Sequence, residues 1–164
     1  MQIKKLTSEE LAIVQEVAHK TWPNTFRNIL SKAQIDYMLE WMYNRDTLIR
    51  QAKSGHEFYV FEDKGVVLGF CGIEPFHPDP DSLKIHKLYV LPESQGLGVG
   101  KQLIEKSKEV ALNNGLKSVV LNVNRFNNAV DFYKRLDFIV VKEEDIEIGN
   151  GFLMEDYVMS LTIR

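Results

Sequence analysis

The feature that most constrains the fold is a glycine-rich segment, Gln95-Gly-Leu-Gly-Val-Gly100, near the middle of the chain. The apolar run from Leu83 to Leu91 precedes it and predicts a strand that ends at Pro92. A helical stripe follows, formed by Val99, Leu103, Ser107, Val110 and Ala111. Backbone amides at such a strand-to-helix junction can hold a phosphate, because the helix dipole is positive there. The segment is neither a P-loop nor a full G-x-G-x-x-G fingerprint, so a simple turn before a helix is the alternative interpretation.

The first third of the chain is predicted to be mainly helical. A short strand at Gln2–Lys5 comes first, and Thr7 and Glu10 then have the spacing of a capping box that begins a helix. That helix should end near Lys20, because Trp22-Pro23-Asn24 interrupts its pattern. Two further helical segments are expected, one carrying Ile35, Met38, Leu39 and Met42 and one at residues 45–54.

The remaining elements predict one sheet with helices around it. Strands are expected at Phe58–Phe61, Val66–Ile73, Leu83–Leu91, Val119–Val123, Phe138–Val141 and Tyr157–Ile163. A helix that Gly115 closes in a left-handed conformation lies between the third and fourth strands, and a helix starting near Ala129 follows the fourth. This order indicates an α/β (α+β) fold built as a single domain over residues 1–164.

Composition excludes several classes of protein. With 45% hydrophobic and 26% charged residues, the chain has the balance of an ordinary soluble globular protein. Its net charge of −3 gives no basic stripe for nucleic acid. No apolar run suits a membrane span or a secretion signal, so we expect a cytoplasmic protein. Cys71 is the only cysteine, and His19, His56, His77 and His86 lack metal-ligand spacing, so no metal is expected.

Two motifs resemble those of a known enzyme superfamily. The string Lys-Leu-Tyr-Val-Leu-Pro-Glu-Ser-Gln-Gly-Leu-Gly-Val-Gly-Lys-Gln-Leu-Ile at residues 87–104 resembles motif A of the GNAT superfamily of N-acetyltransferases, whose signature is Q/R-x-x-G-x-G/A. The matching positions are Gln95, Gly98 and Gly100. Residues 128–138 resemble the helix of motif B, with Asp137 where the family usually has glycine. Aspartate tolerates left-handed backbone angles better than most residues, so the helix can still end there.

The resemblance implies a single GNAT-like domain with a central mixed, mostly antiparallel sheet flanked by helices. It also implies that acetyl-CoA is the cosubstrate, with its pyrophosphate on the glycine segment and its pantetheine arm along the preceding strand. Three asparagines are candidates for a further hydrogen bond to the cofactor, and their spacing does not favour one over the others. The residues implied in cofactor binding are Leu88, Tyr89, Val90, Gln95, Gly96, Leu97, Gly98, Val99, Gly100, Lys101, Asn124, Asn127, Asn128, Phe132 and Tyr133.

Acetyl transfer to an amine requires proton transfers. An aliphatic ammonium has a pKa near 10.4, so deprotonating it at pH 7 costs roughly 4–5 kcal/mol and calls for a base. His86 and Glu74 are the candidates for that base. Tyr133 matches the tyrosine that often serves as general acid in this family. Cys71 lies in a strand of buried character, which favours direct attack in a ternary complex over an acetyl-cysteine intermediate.

The acceptor is less constrained than the cofactor. The early helices contain Trp22, Phe26, Tyr37, Met38 and Trp41, and the corresponding segment covers the acceptor site in the family. The sequence from Thr21 to Phe26 is faintly similar to bacterial polyamine acetyltransferases. We expect an amine on a small molecule or a peptide as partner, without nucleic acid or membrane, and a homodimer is compatible with the sequence. A non-catalytic CoA-binding regulatory module is the alternative function.

Overall fold

A computed structural model describes residues 1–163, in which seven strands form one sheet. The strands are β1 (Gln2–Lys5), β2 (Glu57–Asp63), β3 (Val66–Pro75), β4 (Ser82–Val90), β5 (Ser118–Asn124), β6 (Ile139–Gly149) and β7 (Phe152–Thr162). Their order across the sheet is β1-β2-β3-β4-β5-β7-β6. Only β4 and β5 are parallel among these neighbouring pairs. The prediction of a mixed, mostly antiparallel sheet is therefore confirmed.

Helices cover both faces of the sheet. Five α-helices occur in the described range, namely α1 (Ala12–Phe26), α2 (Lys32–Tyr43), α3 (Arg45–Lys53), α4 (Val99–Asn113) and α5 (Ala129–Arg135). The first three pack on one face around Trp22, Tyr43 and Phe58, and the last two pack on the other face around Leu103, Leu121 and Tyr133. None of the helices within residues 1–163 is long and apolar enough to cross a bilayer.

The prediction that the first helix ends near Lys20, before Trp22-Pro23-Asn24, is wrong. Helix α1 continues through Pro23 to Phe26. Proline inside a helix costs about 3 kcal/mol, since its amide is lost and its ring clashes with the preceding turn. Burying a large apolar side chain returns roughly 1.5–3 kcal/mol, and both Trp22 and Phe26 are buried in this last part of the helix. Pro23 itself is exposed. Tertiary burial thus outweighs the local signal.

The closing hairpin is also longer than the sequence predicts. The strand expected to end at Val141 continues to Gly149, and the strand expected to begin at Tyr157 begins at Phe152. The acidic run in β6 has low strand propensity, which explains the missed residues. Helix α2 holds this extension, because Tyr37 Oη donates a hydrogen bond to the Ile148 carbonyl and Gln34 Nε2 donates to the Leu153 carbonyl, each at 2.7 Å.

Two helix ends adopt the left-handed conformation that the sequence predicts. Gly115, after α4, has φ of +71°, and the Leu116 amide bonds to the Ala111 carbonyl at 2.9 Å. Asp137, after α5, also has φ of +71°, and the Phe138 amide bonds to the Tyr133 carbonyl at 3.1 Å. Both bonds have the form of a Schellman cap. Aspartate therefore takes the place of the glycine usual at the second position.

Candidate functional site

A cleft opens where β4 and β5 stop pairing with each other. Their parallel pairing runs from Ser82 opposite Ser118 to Ile85 opposite Leu121, and both strands continue beyond that point. The cleft has a volume of about 810 Å³ and extends from the glycine segment to helices α1 and α2. It therefore joins a phosphate-binding type of loop to the helices that were expected to cover an acceptor.

A β-bulge lies where the two strands separate. Lys87 pairs with Gly72 and Ile85 pairs with Ile73, so His86 is an extra residue in β4. A bulge bends its strand and increases the local twist. It accordingly lets β4 turn away from β5 and carries His86 into the lining of the cleft.

Beyond the bulge, β4 presents free backbone groups to the cleft. The Leu91 amide donates a hydrogen bond to the Leu68 carbonyl of β3 at 2.9 Å. Because the hydrogen bonds of an antiparallel ladder alternate, the amides and carbonyls of Leu88 and Val90 face away from β3. Such an edge can hydrogen-bond an extended ligand in the manner of an added strand.

The glycine segment closes one end of the cleft. Gly96 and Gly98 have φ of +83° and +80°, a region that residues with a side chain rarely adopt. Gly98 immediately precedes α4, so the amides of the first helical turn have no partner inside the helix and can bind an anion. The lining residues of this segment are Gln95, Gly96, Gly98, Val99, Gly100 and Lys101. Leu97 is exposed and its side chain lies outside that lining.

Helix α5 contributes Phe132 and Tyr133 to the wall of the cleft. A Cβ atom at Gly100 would lie only 3.1 Å from Phe132 Cζ, so glycine allows α4 and α5 to approach closely at this point. The Tyr133 ring packs at 5.2 Å from Phe132 and 5.7 Å from Phe138 between ring centroids. Burial raises the pKa of Tyr133, and no hydrogen bond contributes to that shift. The hydroxyl is thus protonated at neutral pH and available to a ligand.

The three candidate asparagines all line the cleft, but their side chains differ in what they already bind. Asn124 Oδ1 accepts a hydrogen bond from the Phe126 amide, and Asn127 Oδ1 accepts one from the Ala129 amide, both at 2.9 Å. Asn128 makes no such capping bond to the helix. Two of the three carboxamides therefore shape the loop before α5 through their oxygens, which leaves their amide groups as donors.

The two candidate bases lie in contact with each other. His86 Nε2 is 2.9 Å from Glu74 Oε1, and Glu74 itself does not line the cleft. Burial, assisted by the neighbouring His56, lowers the pKa of His86 to about 2, so the imidazole is neutral at pH 7. The sequence proposed these residues as competitors, whereas the structure places them as a hydrogen-bonded pair, of which only His86 lines the cleft.

The far end of the cleft is lined by apolar side chains from α1, α2 and β7. These residues include Trp22, Phe26, Leu30, Met38, Met42, Leu153 and Met154. Of the aromatic residues expected there, Tyr37 bonds to the closing hairpin and Trp41 is exposed, and neither lines the cleft. The end wall is thus apolar and suits the methylene chain of an aliphatic ligand.

Asp156 is a lining residue that sequence reasoning missed. It is 3% exposed on β7, and Asn122 Nδ2 donates a hydrogen bond to its Oδ2 at 3.3 Å. Burial raises its pKa from the ordinary aspartate value. The sequence carries no local signal for this role, because Asp156 follows Glu155 and lies just before the strand that was expected to begin at Tyr157. Its position in the cleft supplies a negative group on the side away from the glycine segment.

Cys71 has no access to the cleft. It is fully buried beneath α4, and burial raises the pKa of its thiol to about 12. The nucleophilic form of cysteine is the thiolate, so this residue is inert at neutral pH. Its surroundings support the expectation that no acetyl-cysteine forms.

Comparison with known proteins agrees with these features. Residues 15–138 match the family model of the acetyltransferase (GNAT) family. An uncharacterised N-acetyltransferase of Bacillus subtilis, YuaI, is 26% identical over 156 residues, covering 93% of this chain and 88% of the relative. The spermidine N(1)-acetyltransferase of Thermoplasma acidophilum is 26% identical over 162 residues, covering 94% and 96%.

Solved structures show the same fold. The crystal structure of PaiA N-acetyltransferase from Thermoplasma acidophilum in complex with coenzyme A superposes with a TM-score of 0.82 at 23% identity, over 99% of this chain and 98% of the other. The family match spans most of the chain and includes the glycine segment and α5. This chain is therefore a member of the GNAT family of N-acetyltransferases.

Proposed function

We propose that the protein transfers an acetyl group from acetyl-CoA to a primary amine by direct attack in a ternary complex. The observation that carries this proposal is the continuity of the cleft, which runs from the free amides of the glycine segment past Tyr133 to Asp156. A thioester held at one end and an amine held at the other would meet beside that tyrosine. The relatives that match the chain are N-acetyltransferases, which supports the same reaction class.

The residues around the glycine segment fit coenzyme A. Amides from Gly96 to Lys101 would bind the pyrophosphate, because they lie at a helix N-terminus and have no helical partners. The free backbone groups of Leu88 and Val90 would bind the pantetheine arm. Lys101 and Arg135 line the cleft and are exposed, so they can approach phosphate oxygens without losing a buried partner. Acetyl-CoA supplies an activated acetyl group and a thiol leaving group.

Tyr133 would act as the general acid. Its hydroxyl holds a proton at Oη throughout the neutral pH range, because burial raises its pKa. Since this hydroxyl has no other hydrogen-bond partner among residues 1–163, donation to the departing sulfur breaks no existing interaction. Packing against Phe132 and Phe138 fixes the ring, so the hydroxyl oxygen is held in one position.

His86 would accept the proton of the attacking amine. When His86 Nε2–H donates a hydrogen bond to Glu74 Oε1, Nδ1 keeps its lone pair and is the atom that can accept the proton. Burial keeps the ring neutral and so leaves Nδ1 unprotonated, although it also makes the ring a weaker base. The Glu74 carboxylate at 2.9 Å acts in the opposite direction, because it would stabilise the imidazolium that forms when the amine gives up its proton. Glu74 is a positioning residue in this scheme and does not reach the cleft.

The acceptor would be an aliphatic amine that carries a second positive charge, as spermidine does. The Thermoplasma relative is named for spermidine, and the far end of the present cleft combines an apolar wall with the buried carboxylate of Asp156. An ammonium paired with that carboxylate would place the methylene chain against Met38 and Met154. A second amine would then extend towards Tyr133.

The competing function is a regulatory module that binds CoA without turning it over. Such a module has no need for a free, protonated hydroxyl in the middle of its cleft, and it has no need for a buried carboxylate at the acceptor end. Both features are present here. They favour the enzyme.

A panel of amines tests the proposal. Acetyl-CoA is mixed with the protein and with spermidine, spermine, an amino acid or a peptide with a free amino terminus, and release of free thiol is followed. We expect thiol release that depends on the amine and is fastest with a polyamine. Tight binding of acetyl-CoA without amine-dependent release would instead identify the regulatory module.

A further inference from the structure

We propose that His56, Glu74 and His86 form a binding site for one transition-metal ion of the Zn²⁺ class. Their three ligand atoms lie within 4.8 Å of one another. The His56 ring lies 6.4 Å from the ring of Phe58, which belongs to the core under helices α1–α3. The site is built from β3, β4 and the residue that precedes β2. Such a site was invisible in the sequence, because no two of these residues have the local spacing of a metal-binding motif.

The distances within this cluster suit a metal. His56 Nε2 and His86 Nε2 lie 3.1 and 2.9 Å from Glu74 Oε1, and His77 Nδ1 lies 3.7 Å from the same atom. Tetrahedral ligands on bonds of about 2.0–2.2 Å to zinc are separated by roughly 3.3–3.6 Å, so the observed values fall on both sides of that separation. Small side-chain rotations would therefore admit an ion at the centre.

The chemistry of the donors selects the kind of ion. Two imidazoles and one carboxylate are the protein ligands of many zinc sites, whereas Mg²⁺ and Ca²⁺ prefer oxygen. Neutral imidazole is the form that binds a metal, and the side chains of His56 and His86 are both largely buried beside the Glu74 carboxylate. The rings of these two histidines stack at 4.3 Å between centroids, which holds them side by side without an ion. His77 is half exposed and would provide a fourth ligand.

Occupation of this site has a consequence that rests on the proposed function. A metal bound to His86 and Glu74 removes the base and its positioning carboxylate together. Zn²⁺ should then inhibit acetyl transfer while acetyl-CoA binding, which depends on the glycine segment, is retained. Metal binding itself requires no catalytic activity, so its test is independent of the enzyme reaction.

The primary experiment measures Zn²⁺ binding to the full-length protein by competition with a chromogenic chelator of roughly micromolar affinity. We expect one ion per chain, and we expect Mg²⁺ to leave the signal unchanged. His56→Gln and Glu74→Gln should each weaken binding by about 100-fold or more, because loss of a direct ligand should cost at least as much as the roughly 10–100-fold that loss of an outer-shell partner costs. His19→Gln is the matched control, because His19 lies exposed on α1 away from the cluster.

A second measurement does not depend on the variants folding. Co²⁺ replaces Zn²⁺ in wild-type protein, and its visible spectrum reports coordination geometry. Intense bands typical of four or five ligands are expected, whereas weak bands typical of a hydrated ion would overturn the proposal. Zn²⁺ affinity that is equal in wild type, His56→Gln and His19→Gln would overturn it as well. If Zn²⁺ binds as expected but no amine is acetylated in its absence, the metal site stands and the proposed function fails.

Discussion

The two halves of the cleft are built in different ways. The half near α4 uses backbone amides, which one continuous segment from Gln95 to Lys101 presents at a helix N-terminus. The half near α1 and α2 uses side chains, which come from β4, β7 and two helices. A backbone site depends on local conformation, and a side-chain site depends on how distant segments pack.

This difference predicts how each half responds to mutation. Changes in the first half should alter cofactor binding through backbone geometry, whatever the new side chain is. Changes in the second half should alter amine recognition and proton transfer, with cofactor binding unaffected. Tyr133 stands where the halves meet, so it should affect the reaction and neither binding event.

Tyr133→Phe should have the largest effect. We expect kcat to fall by about 100-fold or more, because a general acid contributes that much, while the affinity for acetyl-CoA stays unchanged. Rates across pH with a good acceptor amine check this. Tyr157→Phe is the matched control, since it loses the same atom on β7 outside the cleft. Full kcat in Tyr133→Phe at every pH would make Tyr133 a packing residue.

Asp156→Asn should affect the amine and spare the cofactor. A hydrogen bond to a charged group contributes about 1.5–3 kcal/mol, so we expect kcat/KM for a polyamine to fall by about 10–100-fold. Acetyl-CoA affinity, measured by calorimetry, should be unaltered. Glu155→Gln removes a neighbouring charge that faces Arg125 outside the cleft, and it should leave both quantities unchanged. Equal kinetics in the two variants would remove Asp156 from the acceptor site.

Gly98→Ala should weaken the cofactor half alone. A residue with a side chain is strained by about 1–2 kcal/mol at φ of +80°. The segment can relieve this strain only by changing its backbone conformation, and that change would turn its amides away from the cleft. We expect roughly tenfold weaker CoA binding and a melting temperature lower by about 2–4 °C per kcal/mol.

Gly115→Ala tests whether strain or position causes that loss of affinity. Gly115 also has a positive φ, and no atom lies within 4 Å of an added Cβ at either glycine. Its substitution should lower the melting temperature similarly but leave CoA affinity intact. Weaker CoA binding in Gly115→Ala would show that general destabilisation, and not the amide cradle, explains the effect at Gly98.

The same contrast explains what could be predicted from the sequence. Glycine spacing, a strand and a helical stripe are local signals, so the loop and the sheet around it were predictable. The bulge at His86 depends on pairing between β3 and β4, and the position of Asp156 depends on β7 lying beside β5. Continuation of α1 through Pro23 depends on burial of Trp22. Each of these is a tertiary effect without a local pattern.

The smallest expected effect is a change in the free energy of unfolding with pH. It arises in the side-chain half of the cleft, because only that half contains the buried His86. The pKa of His86 is lowered in the folded protein relative to about 6.5 in the unfolded chain, so the unfolded state binds more protons as pH falls below 6.5. The stability contributed by neutral His86 is therefore present above pH 6.5 and is lost progressively at lower pH. At pH 6 the loss for one such group is about 0.8 kcal/mol.

Thermal unfolding at pH 7.5 and pH 6 measures this loss. Wild type should lose about 0.8 kcal/mol more than His86→Gln over this interval, a difference of roughly 2 °C in melting temperature. His19→Gln, which replaces an exposed histidine, should follow wild type. If His86→Gln also follows wild type, then His86 gains protons in the folded state as readily as in the unfolded chain. In that case the side-chain half is open to solvent at His86, and the neutral base on which the proton-transfer scheme depends is absent.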